Sequence, residues 1–150
     1  MTHSTPQQVV VIGGGILGAS TAAQLARAGA SVTLVTAGAL ADGASGRSIA
    51  WLNSSGDRSS AYHYLRLLAL DRYRNWAARH PESRDYLRFD GALKWAADDA
   101  SFRDTFAFER SVGYDARWLD RDQVAALTPD VDADAIAAEG AIYNPGEGWV

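Results

Sequence analysis

The stretch VVVIGGGILG, which runs from Val9 to Gly18, is the part of this chain that best indicates its fold class. In it, a β-branched apolar run ends in a glycine-rich turn, and a helix rich in small residues follows at once. The glycines at positions 13, 15 and 18 form the pattern G-x-G-x-x-G. Between a strand and a helix, this pattern is typical of a unit that binds a dinucleotide.

Each glycine has its own physical task in such a unit. Gly13 allows a tight turn, Gly15 leaves room for the backbone to approach a pyrophosphate, and Gly18 lets the helix lie close to the strand. The first turn of the helix has N–H groups without helical partners, and the helix dipole is positive there. We therefore predict that a pyrophosphate is bound by five residues: Gly13, Gly15, Ile16, Leu17 and Gly18.

The residues around the turn predict a compact βαβ unit. Residues 8–12 form the first strand, and we expect it to be buried on both faces because its core is a continuous apolar run. The helix is expected over residues 16–28, with Gly29 just past its end. The second strand is SVTLVT, from Ser31 to Thr36.

The end of the second strand departs from the usual dinucleotide-binding pattern. An Asp or Glu normally stands there and accepts hydrogen bonds from the adenosine ribose. This chain has Thr36, which offers a hydroxyl contact without a charge, and no Arg follows directly for the extra phosphate of NADP. The sequence therefore predicts a weakened ribose contact at Thr36, or one that relies on residues elsewhere.

The loop GASGRS, residues 43–48, is the second informative feature. Its small residues allow close approach to a flat or phosphorylated ligand. Ser45 and Ser48 carry hydroxyl donors, and the charge of Arg47 can offset that of a phosphate. Taken alone, the segment is more typical of a mobile surface loop. It is not a nucleophile elbow, because Arg47 stands where G-x-S-x-G needs its last glycine.

Beyond this loop the pattern predicts a different α/β region. Helices are expected at about 59–79, 100–112 and 121–127, and strands at about 91–97, 115–119 and 138–143. The composition changes near Gly56, and we place the boundary between the two regions there.

The composition excludes several classes of function. A net charge of −4 and an isoelectric point near 5.2 argue against a nucleic-acid-binding surface. The absence of cysteine excludes disulfides, thiolate metal sites and a cysteine nucleophile within these residues. The run from Asp130 to Asp134 begins like a calcium loop, but Ala135 and Ala141 replace its essential glycine and bidentate acid. We therefore predict no metal site.

The sequence also bears on location. No apolar segment is long enough to span a bilayer, so no membrane span is expected. The first eight residues lack the Lys and Arg of a secretory leader. A cytoplasmic location is the resulting expectation.

The order of motifs along the chain resembles one enzyme family. The glycine turn is followed by GASGRS, IAWLN, DGALKWA and GAIYNPGEGWV. Together these resemble the N-terminal part of the FAD-dependent oxidoreductases of the D-amino acid oxidase, glycine oxidase and sarcosine oxidase superfamily. The resemblance covers nearly the whole chain. It implies an α/β fold, in which a Rossmann-type FAD-binding βαβ half at 1–58 precedes part of a mixed α+β substrate domain at 59–150, incomplete at the C-terminus.

The same resemblance implies a cofactor and a reaction. The FAD pyrophosphate would lie at the glycine turn and the ribose near Thr36, where the family usually has Glu. The flavin end would lie along the loop residues Ala44, Ser45, Gly46, Arg47 and Ser48. The implied reaction is oxidation of a C–N bond in a small-molecule amino acid or secondary amine, giving an imine that water hydrolyses. We nominate no catalytic acid or base within the chain.

Members of this family are longer, and their later segments complete both the FAD site and the substrate pocket. We therefore expect these 150 residues to be inactive by themselves. Two alternatives stay open. The chain could be the NAD-binding Rossmann module of a dehydrogenase, or a non-catalytic remnant or split subunit that a second chain completes.

Overall fold

The computed structural model describes residues 6–150. The predictions that fall on residues 1–5, including the start of the expected 1–58 half and most of the leader analysis, lie outside the described residues. The chain divides into two compact units, Met1–Ile49 and Ala50–Val150. The division comes before the predicted boundary at 58, because Trp51–Leu52 pairs with Gly148–Trp149 inside the second unit. The functional assignment of each part stays a prediction.

The first unit is a parallel βαβ arrangement. Strand β1 is Gln8–Ile12, helix α1 is Ile16–Arg27 and strand β2 is Ser31–Val35. The two strands pair in parallel, from Gln8 opposite Ser31 to Ile12 opposite Val35. Helix α1 ends where Gly29 adopts a φ of +91°, a left-handed conformation that favours glycine.

The prediction that β1 is buried on both faces is wrong. The side chains of Val10 and Ile12 are 63% and 85% exposed, while Val9 and Val11, which alternate with them along the strand, are half-buried. Helix α1 packs on this two-stranded sheet, and the burial alternates along both strands. A parallel strand is buried on both faces only where elements cover both, and in this unit one face is left bare.

The second unit contains the remaining regular elements. Its strands are β3 Trp51–Leu52, β4 Ala92–Lys94, β5 Arg117–Leu119, β6 Ala141–Asn144 and β7 Gly148–Trp149. Its helices are α2 Ser60–Arg79, α3 Arg103–Ser111 and α4 Arg121–Leu127. Short 3₁₀ turns cover Ala44–Arg47 in the first unit and Pro81–Asp85 and Ala133–Ala135 in the second.

Two small antiparallel sheets organise the second unit. Strands β3 and β7 pair directly, and β6 lies between β4 and β5 in a three-stranded sheet. A hydrophobic core forms where Val124 of α4, Ile136 and Ala141 meet, with four half-buried residues packed around them: Leu93, Trp95, Leu119 and Ala125. The sheet and the helix that follows β5 therefore share one apolar core.

Sequence signals for helix ends explain the limits of two helices. Ser59 caps α2, and its hydroxyl accepts a hydrogen bond from the Tyr62 N–H at 3.4 Å. Asp120 and Gln123 form a reciprocal capping box at the start of α4. Helix α3 is shorter than the predicted 100–112, since it begins at Arg103.

Candidate functional site

The glycine turn has the backbone geometry that its sequence predicts. Gly13 adopts a φ of +117°, which side chains rarely tolerate, and its N–H donates to the Val35 carbonyl at 2.8 Å. A β-carbon on Gly18 would lie 1.8 Å from the Gly13 carbonyl oxygen. The turn between β1 and α1 is therefore closed by direct backbone contact, which no larger residue at position 18 would allow.

The start of α1 presents backbone N–H groups rather than a side-chain cap. Gly15 is the N-cap, and it has no side chain to accept a hydrogen bond. The Ile16 N–H donates to Ser45 Oγ at 2.9 Å. Within the described part of the chain, the N–H groups of Leu17 and Gly18 find no protein acceptor. Free donors at the positive end of a helix are suited to an anion.

A cleft of about 520 Å³ opens on this helix start. It is lined by Ile12, Gly13, Gly15, Ile16, Leu17, Gly18, Ala44, Ser45 and Ser48. The structure thus brings the predicted pyrophosphate residues together with three members of the GASGRS loop. The remaining predicted residues, Thr36, Gly46 and Arg47, do not line this cleft.

Gly46 and Arg47 have local contacts that shape the loop. The Gly46 N–H donates to the Ala41 carbonyl at 2.9 Å, and a β-carbon on Gly46 would lie 2.4 Å from that oxygen. One guanidinium nitrogen of Arg47 lies 3.5 Å from the Asp42 carbonyl oxygen. These contacts tie the 3₁₀ turn Ala44–Arg47 back onto the preceding loop.

Thr36 lies in a second cleft of the same unit, of about 330 Å³. Its lining consists of Gly14, Gly15, Thr36, Ala37, Gly38, Ala39, Asp42, Gly43, Ala44 and Ser45. A β-carbon on Gly14 would lie 2.8 Å from Thr36 Oγ1, so the threonine hydroxyl lies directly over the glycine turn. Sequence reasoning missed Asp42 and Gly14, although Gly14 lies inside the glycine motif and Asp42 directly precedes the GASGRS loop.

The second unit contains a buried polar network around Glu147, which is fully buried. Its Oε2 accepts from Trp51 Nε1 at 2.8 Å, and its Oε1 accepts from the Tyr114 hydroxyl at 2.6 Å. The Tyr114 oxygen in turn accepts from the Ser54 N–H at 3.0 Å. Burial raises the pKa of the Glu147 carboxyl, although the hydrogen bonds from Tyr114 and Trp51 act against it. Burial and the Glu147 carboxyl together raise the pKa of Tyr114.

A second buried carboxylate, Glu109, connects α3 to three other segments. It accepts from the Gly56 N–H at 2.7 Å and from Asn144 Nδ2 at 3.0 Å, and it forms an ion pair with Lys94. Nothing in the local sequence marks Glu109 or Glu147 as special, since their partners are distant along the chain. Sequence reasoning missed both.

His63 is buried on α2, as a helix residue rather than a metal ligand. Its Nδ1 lies 2.9 Å from Ser54 Oγ, and its ring meets that of Tyr114 edge-on at 5.4 Å. Its Nε2 has no hydrogen-bond partner in the described structure. The described residues contain no group of three His, Asp or Glu side chains placed to hold a metal ion.

Trp51 also borders a cleft of about 210 Å³ within the second unit, together with Leu52, Asn53, Arg66, Ala69, Leu70 and Tyr73. Arg66 is fixed there by hydrogen bonds to the Asn53 carbonyl oxygen at 2.7 Å and to Asn53 Oδ1 at 2.9 Å. Its guanidinium also lies over the Tyr62 ring, 5.4 Å from the centroid.

Among residues 6–150, no helix combines the length and the apolar character that a membrane crossing requires.

A parallel βαβ unit whose glycine turn exposes a bare helix N-terminus is the arrangement of dinucleotide-binding proteins. The family comparison is more specific. The family described as FAD dependent oxidoreductase matches residues 8–150, and the chain belongs to this family. FAD is the cofactor of that family. The resemblance seen in the motifs is thereby confirmed.

Two relatives illustrate the relationship. The chain is 28% identical to the glycine oxidase of Geobacillus kaustophilus over 159 aligned positions, which cover all of this chain and 41% of that protein. It is 35% identical to a tRNA 5-methylaminomethyl-2-thiouridine biosynthesis bifunctional protein of Thiobacillus denitrificans, covering 98% of this chain and 24% of that protein. The chain thus spans less than half the length of each.

Solved structures share the fold. The glycine oxidase of Geobacillus kaustophilus superposes with a TM-score of 0.80 at 24% identity, over 96% of this chain and 41% of that one. The L-amino acid deaminase of Proteus vulgaris superposes with a TM-score of 0.74 at 23% identity, over 99% of this chain and 36% of that one. The mixed α/β fold predicted from the sequence is confirmed.

Proposed function

We propose that this chain supplies the FAD-binding part of an oxidoreductase that oxidises a C–N bond of an amino acid or secondary amine. The observation that carries the proposal is the start of α1, where the N–H groups of Leu17 and Gly18 have no protein acceptor, in a member of the FAD-dependent family. The names of the relatives, a glycine oxidase and an L-amino acid deaminase, support the class of substrate. The reaction is assigned to the complete enzyme, because the chain spans 41% of its glycine oxidase relative.

The residues present fit the pyrophosphate of FAD. Gly15 contributes no side chain to the 520 Å³ cleft, and the free N–H groups of Leu17 and Gly18 are the donors that phosphate oxygens need. Ser45 is held beside them by its hydrogen bond to Ile16. When bound there, FAD would supply the redox chemistry as the acceptor of a hydride equivalent.

The chain's own part in this mechanism is binding and orientation. The left-handed Gly13 and the close contact of Gly18 fix the direction of α1, and with it the direction of the free donors. Ser45 joins the GASGRS loop to that helix start, so the two predicted contact regions form one cleft. We assign Ala44, Ser45, Gly46, Arg47 and Ser48 to the flavin side and Thr36 to the ribose side.

The test is FAD binding by the Gly15→Val variant of the complete enzyme, measured by calorimetry and by flavin retention after desalting. The two methyl groups of valine would fill the space of the pyrophosphate, so we expect binding to be abolished. Ala28→Val is the control, because it also introduces the two γ-methyls of valine, but at the exposed C-cap of α1. FAD binding that is equal in both variants would overturn the proposal.

A titration with NADH separates this proposal from the dehydrogenase alternative. We expect saturable binding of FAD and none of NADH. Saturable NADH binding without FAD binding would favour an NAD module. Co-purification with a second chain that restores FAD binding would support the hypothesis of a split subunit that a second chain completes.

A further inference from the structure

The ribose side of the candidate site lacks the expected acid at the end of β2, where Thr36 stands. The second cleft contains a different acid, Asp42, at the start of the DGASGR segment. Thr36 and Asp42 both line this cleft, together with Gly14 and Gly15 of the glycine turn. A carboxylate is therefore present beside the turn, although it comes from the loop and not from the strand.

The Asp42 side chain lies close to the backbone of Gly38. A β-carbon on Gly38 would lie 2.8 Å from Asp42 Oδ2, so the carboxylate lies directly over the bare backbone of this glycine. Gly38 has no left-handed φ that would demand glycine for conformational reasons. Its lack of a side chain instead leaves the space that the carboxylate occupies.

The Asp42 carboxylate is also free to accept hydrogen bonds from a ligand. Within residues 6–150 it has no ion pair and no side-chain hydrogen bond. Asp42 contacts Arg47 through its backbone carbonyl, at 3.5 Å. The residue is exposed, so its acceptor oxygens face the cleft or solvent and not a protein partner.

We propose that Asp42 replaces the missing strand-end acid and accepts the hydrogen bonds of the adenosine ribose hydroxyls of FAD. The inference rests on the proposed function, since it assumes that the glycine turn binds the pyrophosphate. Thr36 adds one neutral hydroxyl, while Asp42 supplies the charge-assisted bond that dinucleotide sites normally take from an acid. The same negative charge disfavours a ligand with a 2′-phosphate.

The test pairs a variant of the protein with a variant of the ligand. The binding of FAD, ADP and 2′,3′-dideoxy-ADP is measured by calorimetry for the complete wild-type enzyme and for its Asp42→Ala variant. We expect the wild type to prefer ADP over its dideoxy form by about tenfold, the effect of one hydrogen bond to a charged group. Asp42→Ala should lose that preference and bind FAD about tenfold more weakly.

A rescue variant and a charge control complete the design. Thr36→Glu places an acid at the strand end, and in the Asp42→Ala background it should restore the preference for ADP. Asp98→Ala removes one exposed negative charge from the second unit, and its FAD affinity should equal that of the wild type.

The outcomes separate the two proposals. An unchanged preference for ADP in Asp42→Ala, with normal FAD binding, would overturn the role of Asp42 and leave the proposed function standing. Tighter FAD binding by Asp42→Asn would also overturn it, since it would mean that the carboxylate repels the phosphates. A complete enzyme, with the later segments present, that binds neither FAD nor ADP would overturn both.

Discussion

The two compact units of this chain are held in shape by different means. Between residues 6 and 49 none of the described residues is buried, whereas the buried residues of the described chain all lie at Asn53 or beyond. In the first unit the fixed points are backbone features: the parallel ladder, the left-handed Gly13 and the contact between Gly13 and Gly18. In the second unit the corresponding features are contacts between buried side chains.

The contrast between backbone and side-chain contacts has a physical reason in each unit. A pyrophosphate is recognised by N–H groups and needs bare backbone, which only glycine provides at close approach. The second unit instead ties its loops together with buried carboxylates, which cost desolvation and are stable only when every oxygen has a donor. Glu109 and Glu147 fulfil this condition, with donors from five other residues: Trp51, Gly56, Lys94, Tyr114 and Asn144.

Removal of the Glu109 side chain should cause the largest effect. In Glu109→Ala the Lys94 ammonium and the Gly56 N–H lose their partner inside the fold, together with the Asn144 amide. Breaking a buried pair in this way lowers the free energy of unfolding by about 3–5 kcal/mol. Urea unfolding followed by tryptophan fluorescence measures it, because all five tryptophans lie in the second unit.

The matched control for Glu109 is Asp115→Ala. Asp115 pairs with Arg117 at 3.4 Å on the surface, with both side chains more than half exposed. Its loss should change the free energy of unfolding by at most about 1 kcal/mol. Similar losses for the buried and the exposed acid would show that the network is not what stabilises the second unit.

The first unit should respond to a far smaller change in volume. Gly18→Ala adds one methyl group at 1.8 Å from the Gly13 carbonyl oxygen, so α1 must move away from the turn. We expect a loss of about 1–3 kcal/mol, the usual cost of overpacking. Hydrogen exchange should become faster in α1, while the tryptophan fluorescence of the second unit stays unchanged.

Gly43→Ala is the control for this substitution. Gly43 has a φ of −92°, and a β-carbon there would meet no atom within 4 Å. Exchange in α1 should therefore be the same as in the wild type. If both variants accelerate exchange equally, the close contact between Gly13 and Gly18 does not hold the helix.

The features that the sequence predicted well are local. The first strand, the helix from Ile16 and the strand from Ser31 were all predicted within one or two residues, because apolar runs and glycines mark them directly. The capped start of α2 at Ser59 is a similar case. The cleft at the glycine turn follows from these same local signals.

What the sequence could not predict depends on distant partners. The burial of β1 was overestimated because an apolar run shows that a strand can be covered, and not whether both its faces are covered. Trp51 and Glu147 lie 96 positions apart, and no spacing rule connects them. The position of Asp42 over Gly38 depends on the path of a loop, which has no periodic pattern.

The smallest effect concerns the pH dependence of the second unit. Since burial raises the pKa of Glu147 above its ordinary value of 4.5, the folded state holds this proton more tightly than the unfolded state. The contribution to stability is therefore complete below pH 4.5 and is lost as the pH rises through the folded pKa. Glu147→Gln cannot ionise. The difference in free energy of unfolding between this variant and the wild type should therefore shift in favour of the variant as the pH rises.

Glu139 provides a control with the opposite sign. Hydrogen bonds from the Phe102 N–H and the Ser101 hydroxyl lower the pKa of this half-buried carboxyl. The contribution of Glu139 to stability is present above pH 4.5 and is lost as the pH falls through the folded pKa. The stability of Glu139→Gln relative to the wild type should therefore increase as the pH falls. Urea unfolding from about pH 3 to pH 8 measures both differences. If both variants become more stable than the wild type in the same pH direction, burial does not govern the protonation of Glu147.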